Sequence, residues 1–128
     1  MRALSMLLAV LLVGGCSGVA ARQPFVVGDW AGDCKSDFHL GYAQEANGEL
    51  VAYTVNKGVT APYARPKVLS EDAQYFTLDF GDGAPPIVWK KEGESMQPWS
   101  QGQGANASIK EGMRDGQPTP VFHRCGRG

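Results

Sequence analysis

The sequence lacks two features that would define its partners: a basic cluster and a hydrophobic run of membrane-spanning length. Its longest run of adjacent basic residues is Lys90-Lys91, and 12 Lys and Arg residues stand against 13 Asp and Glu residues. Proteins that bind nucleic acids carry clustered Lys and Arg, so this charge pattern excludes nucleic acid as a partner. The apolar run from Ala3 to Gly15 is about a dozen residues long, whereas a transmembrane helix needs ~20.

That apolar run follows one basic residue, Arg2, and ends in Val13-Gly14-Gly15-Cys16. The arrangement resembles the export signal and lipobox of bacterial lipoproteins, in which the cysteine receives a lipid and becomes the new N-terminus. It implies a signal peptide over residues 1–15, a lipidated tether over residues 16–24 and a single β domain over residues 25–128. The small residues Val19-Ala20-Ala21, followed by Arg22, offer a competing cleavage site after Ala21. Cleavage there would give a soluble periplasmic or secreted protein.

Cysteine is scarce, and the three residues present divide into one lipidation site and one pair. With Cys16 lipidated, Cys34 and Cys125 remain, and exported proteins use such even pairs as disulfides. A bridge between them would close a loop of about 90 residues, worth ~4 to 5 kcal/mol of stability in the chain-entropy model. The further ligands His39 and His123 do not complete a usual zinc spacing, so no metal site is predicted.

The sequence also has few stretches that could form long helices. Its 17 Gly and 8 Pro residues make up about a fifth of the chain, and both residue types disfavour the interior of a helix. Alternating apolar residues and turn signals instead predict strands at residues 25–32, 50–55, 74–80, 86–91, 95–100, 107–110 and 121–125. Pro62 and Pro66 restrict the segment after Thr60 to an edge strand near residues 65–69. We therefore predict an all-β fold, a small antiparallel meander of seven or eight strands closed into a barrel or tight sandwich.

Short motifs near both ends of the domain carry a further resemblance. In chain order they are Gly28-Asp29-Trp30, Cys34, Trp99-Ser100-Gln101-Gly102, Ile109-Lys110-Glu111-Gly112, Pro118-Thr119-Pro120 and Cys125. They resemble a group of small exported proteins and lipoproteins of proteobacteria, in which Asp is usual at the position of Glu111. That group has no established function, so the resemblance implies fold and compartment only.

Two other families share part of this pattern. A Gly-x-Trp on the first strand, with a bridge joining the start of the chain to its end, is similar to lipocalins. A lipocalin barrel is longer and encloses a ligand cavity. Small lipid-anchored lysozyme inhibitors are also compact β-barrels with one bridge, but they carry a Ser-Gly-x-x-Tyr type of loop that this sequence lacks.

No segment contains a recognisable catalytic set of nucleophile, base and orienting group. His39 lies in an apolar stretch and His123 lies two residues before Cys125. Both are predicted to be structural residues whose rings are hydrogen-bonded within the wall of the domain. Asp29 is interpreted as a strand-end charge. We therefore predict no enzymatic activity and no cofactor.

Aromatic residues give the only indication of a ligand site. Trp30, Trp89 and Trp99 are the candidate ligand-binding residues, and Trp89 and Trp99 are expected to pair across the turn at Glu92-Gly93. Core packing is the competing explanation for all three indoles.

These observations predict a monomeric lipoprotein of the bacterial envelope, anchored on the periplasmic side. Ser17 replaces the Asp associated with inner-membrane retention, so the outer membrane is expected. Its role is predicted to be a non-catalytic binding or envelope-maintenance module for an envelope protein or glycan. The alternative is an inhibitor of an envelope-attacking enzyme such as lysozyme, acting through the loop from Gly102 to Ser108, and a third is a lipocalin-like carrier of small ligands. An exposed tryptophan pair would favour binding, a rigid, protruding loop would favour inhibition, and a cleft with His39 or His123 beside a carboxylate would favour an enzyme.

Overall fold

A computed structural model describes residues 23–126 of the chain. The predicted signal peptide, Cys16 and most of the predicted tether lie outside the described residues. Within the described part, no helix is long and apolar enough to cross a membrane.

The described chain is built of short strands, which confirms the all-β expectation. The strands are β1 (Gly28–Ala31), β2 (Phe38–Gln44), β3 (Leu50–Asn56), β4 (Val59–Ala64), β5 (Lys67–Glu71), β6 (Tyr75–Asp79), β7 (Ile87–Glu92), β8 (Ser95–Gln101), β9 (Met113–Arg114), β10 (Gln117–Pro118) and β11 (Phe122–Cys125). The helical structure described is one 3₁₀ turn (Gly104–Asn106).

Nine strands form one antiparallel sheet in the order β4-β3-β2-β1-β11-β8-β7-β6-β5, and β9 pairs with β10 in a separate hairpin. Because every pairing is antiparallel, strand direction alternates along this order, and the two outer strands β4 and β5 run in the same direction. They are joined by only Arg65 and Pro66. The chain therefore keeps one direction from residue 59 to residue 71. Its first half pairs with β3, and its second half pairs with β6.

The strand prediction is wrong in three places, so the sheet has nine strands rather than seven or eight. β2 is missing from the prediction because Gly41 interrupts its pattern; the Tyr53 ring lies over that glycine, 2.1 Å from where a Cβ would stand. β4 is also missing because it contains Pro62, which an outer strand tolerates. The predicted strand at 107–110 contributes only isolated bridges from Ile109 and Lys110.

The described residues contain one cluster of buried apolar side chains packed against the sheet. Its buried members are Val26, Trp30, Tyr42, Leu50, Ala52, Phe76, Leu78, Trp89 and Met96. Val26 and Trp30 come from the start of the domain and β1, and the others come from β2 and β3 on one side of the strand order and from β6, β7 and β8 on the other, so both halves of the sheet contribute to one core. Each fully buried large side chain contributes about 1.5 to 3 kcal/mol of hydrophobic stabilisation.

Candidate functional site

A short turn over residues 24–27 covers one end of the sheet, just before β1; we call it the N-terminal turn. The Val27 amide donates to the Pro24 carbonyl over 3.1 Å, and Val26 is fully buried. The Phe25 ring packs against Trp30 with centroids 5.5 Å apart. The predicted tether therefore enters the domain at a packed end of the core.

Arg124 fastens this N-terminal turn to the last strand. Its guanidinium donates to the carbonyl oxygens of Val27 at 2.7 Å and Phe25 at 3.0 Å. It also lies 4.5 Å from the ring centroid of Trp30 and forms an ion pair with Glu94. These contacts satisfy two backbone acceptors that would otherwise be left without a partner at a partly buried position.

The segment between β8 and β11, residues 102–121, leaves from the opposite end of the sheet; we call it the β8–β11 excursion. The Arg124 amide donates to the Glu94 carbonyl over 2.8 Å, so β8 begins beside the N-terminal turn. β8 then runs seven residues, from Ser95 to Gln101. At ~3.3 Å per residue its far end is about 20 Å away.

The excursion is much longer than the connection requires. β8 and β11 are neighbours in the sheet, and hairpin loops usually take ~2 to 5 residues. The excursion instead uses residues 102–121. Long connections in small domains are commonly functional, so this segment is the leading candidate for a binding surface.

Buried groups hold the base of the excursion against the sheet. Ile109 is 1 % exposed and Thr119 is 5 % exposed. The Thr119 hydroxyl donates to the Pro98 carbonyl over 2.7 Å, and its amide donates to the Gly112 carbonyl over 2.8 Å. Buried contacts of this kind raise the cost of local opening, so the excursion has a defined shape.

The exposed tip of the excursion runs from Gly102 to Ala107 and includes the 3₁₀ turn. Its base is closed by the Gln101 amide, which donates to the Ile109 carbonyl over 3.1 Å, and by the Ser108 amide, which donates to the Gln101 carbonyl over 2.9 Å. Residues 102–106 are all exposed. The tip carries no charged side chain, so it presents a small, neutral and structured surface.

Open depressions and one indole surround this tip. One depression of about 610 Å³ includes Gly104, Lys110 and Glu111 in its lining. Trp99 is half-buried beneath the excursion, where a Cβ at Gly112 would lie 2.7 Å from its ring. Trp99 therefore supports the excursion through close contact with its backbone.

The other two candidate tryptophans belong to the core. Trp30 is fully buried and Trp89 is 5 % exposed. A β-bulge sets Trp89 opposite Pro98 instead of Trp99, so the predicted tryptophan pair across the hairpin is wrong. Trp89 stacks on Phe76 with centroids 6.0 Å apart. The three indoles do not share one exposed surface.

The predicted bridge between Cys34 and Cys125 is present, with Cα atoms 5.4 Å apart. The pairing of β1 with β11 places Asp29 opposite Cys125, so the first and last strands are neighbours. A disulfide needs Cα atoms about 4.4 to 6.8 Å apart, and this strand pairing supplies that distance.

His39 lies beside the bridge with both ring nitrogens engaged. Nδ1 is 2.8 Å from the Asp29 carboxylate, and Nε2 is 3.1 Å from the carbonyl oxygens of both Cys34 and Ser36. All three partner oxygens are hydrogen-bond acceptors, and the hydrogen bond to Asp29 in particular raises the pKa of His39 above its ordinary value of 6.5. Both ring nitrogens are therefore engaged by the fold, and neither is directed at an open position where it could meet a substrate.

His123 forms a hydrogen bond with a serine hydroxyl, as the histidine of a catalytic triad does. Its Nδ1 lies 2.9 Å from the Ser95 hydroxyl, and the two residues are register partners on β11 and β8. Among residues 23–126, no carboxylate hydrogen-bonds or ion-pairs with His123. The orienting third member of a triad is therefore missing from the described part of the chain.

Sequence reasoning missed two residues that organise these sites. Asp29 pairs with His39 across β1 and β2, which the missed strand β2 concealed. Arg124 lies two residues after the core-packed Phe122, on the same face of β11. An arginine at an inward-facing position of a strand was the signal that could have identified it.

Comparison of the chain with protein-family models, with curated proteins and with solved structures finds no match in any of the three.

Proposed function

We propose that the protein is a lipid-anchored, non-catalytic binding module of the bacterial envelope that presents the β8–β11 excursion to a protein or glycan partner. The observation that carries the proposal is the separation of about 20 Å along β8 between the N-terminal turn and Gly102, where the tip of the excursion begins. A lipid on Cys16 would hold the N-terminal end at the membrane. Residues 17–24 span at most ~29 Å when extended, so the excursion would face the periplasm.

The proposal includes closure of the sheet into a barrel. β4 and β5 run in the same direction and are separated by two residues, so residues 59–71 would act as one bent strand shared by β3 and β6. A barrel of this kind removes the exposed outer edges that invite aggregation. Its interior would be filled by the buried side chains of the core, which supports a surface-binding module over a lipocalin-like carrier.

The anchor is tested by replacing the proposed lipidation site. Cys16→Ser in the full chain, expressed in a Gram-negative bacterium, should move the protein from the outer-membrane fraction to the soluble periplasm. Incorporation of labelled palmitate should be lost with the same substitution. A wild-type mature protein that begins at Arg22 by mass spectrometry would overturn the lipoprotein proposal.

The binding surface is tested by placing a large cation on the neutral tip. Ala105→Arg should abolish cross-linking to the envelope partner that the wild-type protein captures. Leu69→Arg, on the outer strand β5, is the matched control because Leu69 is exposed but lies outside the excursion. Retention of the same partner by Ala105→Arg would refute the assignment of the surface.

A second function, inhibition of an envelope-attacking enzyme such as a muramidase, is supported by the closed base of the Gly102–Ala107 tip. Protein inhibitors gain affinity when the inserted loop is ordered before binding. The Cys16→Ser protein should then slow lysis of purified peptidoglycan by a muramidase, and Ala105→Arg should remove that effect. Unchanged lysis with a panel of muramidases would leave the binding module without an inhibitory role.

A further inference from the structure

Three potential metal ligands meet beside β1 and β11, and a fourth is bonded to one of them. Ligand atoms of Asp29, His39 and Cys125 lie within 4.8 Å of one another, and the Cys34 sulfur is bonded to that of Cys125. While the disulfide exists, neither sulfur is a thiolate that can bind a metal. We propose that reduction of this disulfide converts the cluster into a zinc site with Asp29, His39, Cys34 and Cys125 as its ligands.

A tetrahedral zinc ion could be accommodated after small side-chain shifts that move the ligand atoms apart. Bonds of about 2.0 to 2.3 Å to O, N and S put tetrahedral ligands about 3.3 to 3.8 Å apart. The Nδ1 of His39 and the Asp29 carboxylate oxygen are 2.8 Å apart. The sulfurs of Cys34 and Cys125 must separate, and the Cα distance of 5.4 Å allows this by side-chain rotation. The fold therefore places Asp29, His39 and Cys125 close together, and Cys34 supplies the fourth ligand once the bridge is open.

The orientation of the imidazole ring is an independent argument for the site. Nε2 of His39 is held by the carbonyl oxygens of Cys34 and Ser36 at 3.1 Å, which leaves Nδ1 directed at the Asp29 carboxylate. Histidines that bind metals generally donate their other ring N–H to a carbonyl or carboxylate, which fixes the tautomer. Here that supporting hydrogen bond already exists, and one of its acceptors belongs to a proposed ligand residue.

The reaction is a thiol–disulfide exchange followed by metal binding. Cys34 is exposed and Cys125 is 7 % exposed, so the thiolate of an external dithiol attacks the Cys34 sulfur and releases the Cys125 thiolate. The second thiol of that reductant then resolves the mixed disulfide. The protein gains two thiols and the dithiol becomes a disulfide. Zinc binding then displaces the two thiol protons and the Nδ1 proton of His39 to solvent.

Zinc would then close the same loop that the disulfide closes. The first and last strands would stay joined in the reduced chain, because metal binding to the folded site stabilises it by mass action. The proposal therefore assigns the cluster two alternative states, an oxidised covalent bridge and a reduced zinc bridge. It does not depend on the proposed binding function or on lipidation.

Zinc titration of the reduced and oxidised forms tests this inference. The full chain carrying Cys16→Ser keeps only the two relevant cysteines, and competition with a chromogenic chelator gives stoichiometry and affinity. We expect one zinc per chain after reduction with a phosphine and none in the oxidised protein. His39→Gln and Asp29→Asn should each weaken zinc binding at least ~10-fold, whereas His123→Gln should leave it unchanged.

Cobalt provides a readout that does not rely on variants folding. Co²⁺ added to the reduced, unsubstituted site should show intense tetrahedral ligand-field bands and thiolate charge-transfer absorption. Circular dichroism of each oxidised variant, which retains its disulfide, checks that the domain is folded. Zinc binding that survives both His39→Gln and Asp29→Asn, or a cobalt spectrum without tetrahedral bands, would overturn the proposal.

Discussion

Replacing Arg124 by Met should lower the free energy of unfolding by about 3 to 4 kcal/mol. Each hydrogen bond from the guanidinium to the Phe25 and Val27 carbonyls is worth ~1.5 to 3 kcal/mol when the donor is charged. The Arg124 side chain is 28 % exposed, so the lower value applies and the pair contributes ~3 kcal/mol. Loss of the contact with the Trp30 ring adds up to ~1 kcal/mol. Met retains most of the apolar stem, so little packing is lost.

The ion pair between Arg124 and Glu94 should matter much less. Glu94 is 74 % exposed, and exposed ion pairs are typically worth ~0 to 1 kcal/mol. Glu94→Gln should therefore cost no more than ~1 kcal/mol. The contrast between these two variants separates the backbone hydrogen bonds from the salt bridge as the source of stability.

Urea denaturation followed by circular dichroism measures these differences, with the m-value expected to stay constant. Arg114→Met is the matched control because Arg114 is an exposed arginine on β9, and its effect should stay within ~0.5 kcal/mol. A loss below ~1 kcal/mol for Arg124→Met, or an equal loss for Glu94→Gln, would refute the view that Arg124 fastens the N-terminal turn.

Three further predictions follow from the geometry. Replacing Cys34 and Cys125 together by Ala should lower stability by ~2 to 5 kcal/mol, because the bridge closes a loop with a sequence separation of 91; an unchanged denaturation midpoint would contradict this. Gly112→Ala should destabilise more than Gly116→Ala, since both have φ near +80° but only Gly112 has an indole 2.7 Å from the added Cβ; equal melting temperatures would refute that contact. The pKa of His39 is raised above 6.5 in the fold. Its contribution to the free energy of unfolding should therefore be complete below pH 6.5 and decline as the pH rises through the folded-state pKa. His39→Gln should flatten this dependence of stability on pH in the oxidised protein.

The alternating segments were predictable from the sequence because their side-chain pattern directly reflects burial. Phe76 and Leu78 alternate with partly exposed neighbours on β6, and turn signals bound the strand. β2 and β4 were not predictable in the same way. A tyrosine from the next strand covers Gly41, and Pro62 lies on an outer strand, so each depends on a tertiary neighbour that a local pattern does not contain.

The candidate site was only partly predictable for a similar reason. The bridge between Cys34 and Cys125 follows from the count of cysteines and the expected compartment. The pairing of Asp29 with His39 requires the register of β1 against β2. The β8–β11 excursion requires knowledge that two strands far apart in the sequence are neighbours. Both of these features depend on which strands are neighbours in the sheet, and the sequence alone does not give that.

The depression of about 590 Å³ beside the N-terminal turn is lined by both Gln23 and Gly126, so the two ends of the described domain meet. With the proposed lipid on Cys16, a peptide or fluorescent reporter fused after Gly126 would emerge at the membrane end of the domain and compete with the bilayer for space. A reporter inserted at the excursion tip would then be held away from that membrane. The same proximity makes the domain suitable for circular permutation, in which a short linker joins the present ends and new termini open in the excursion.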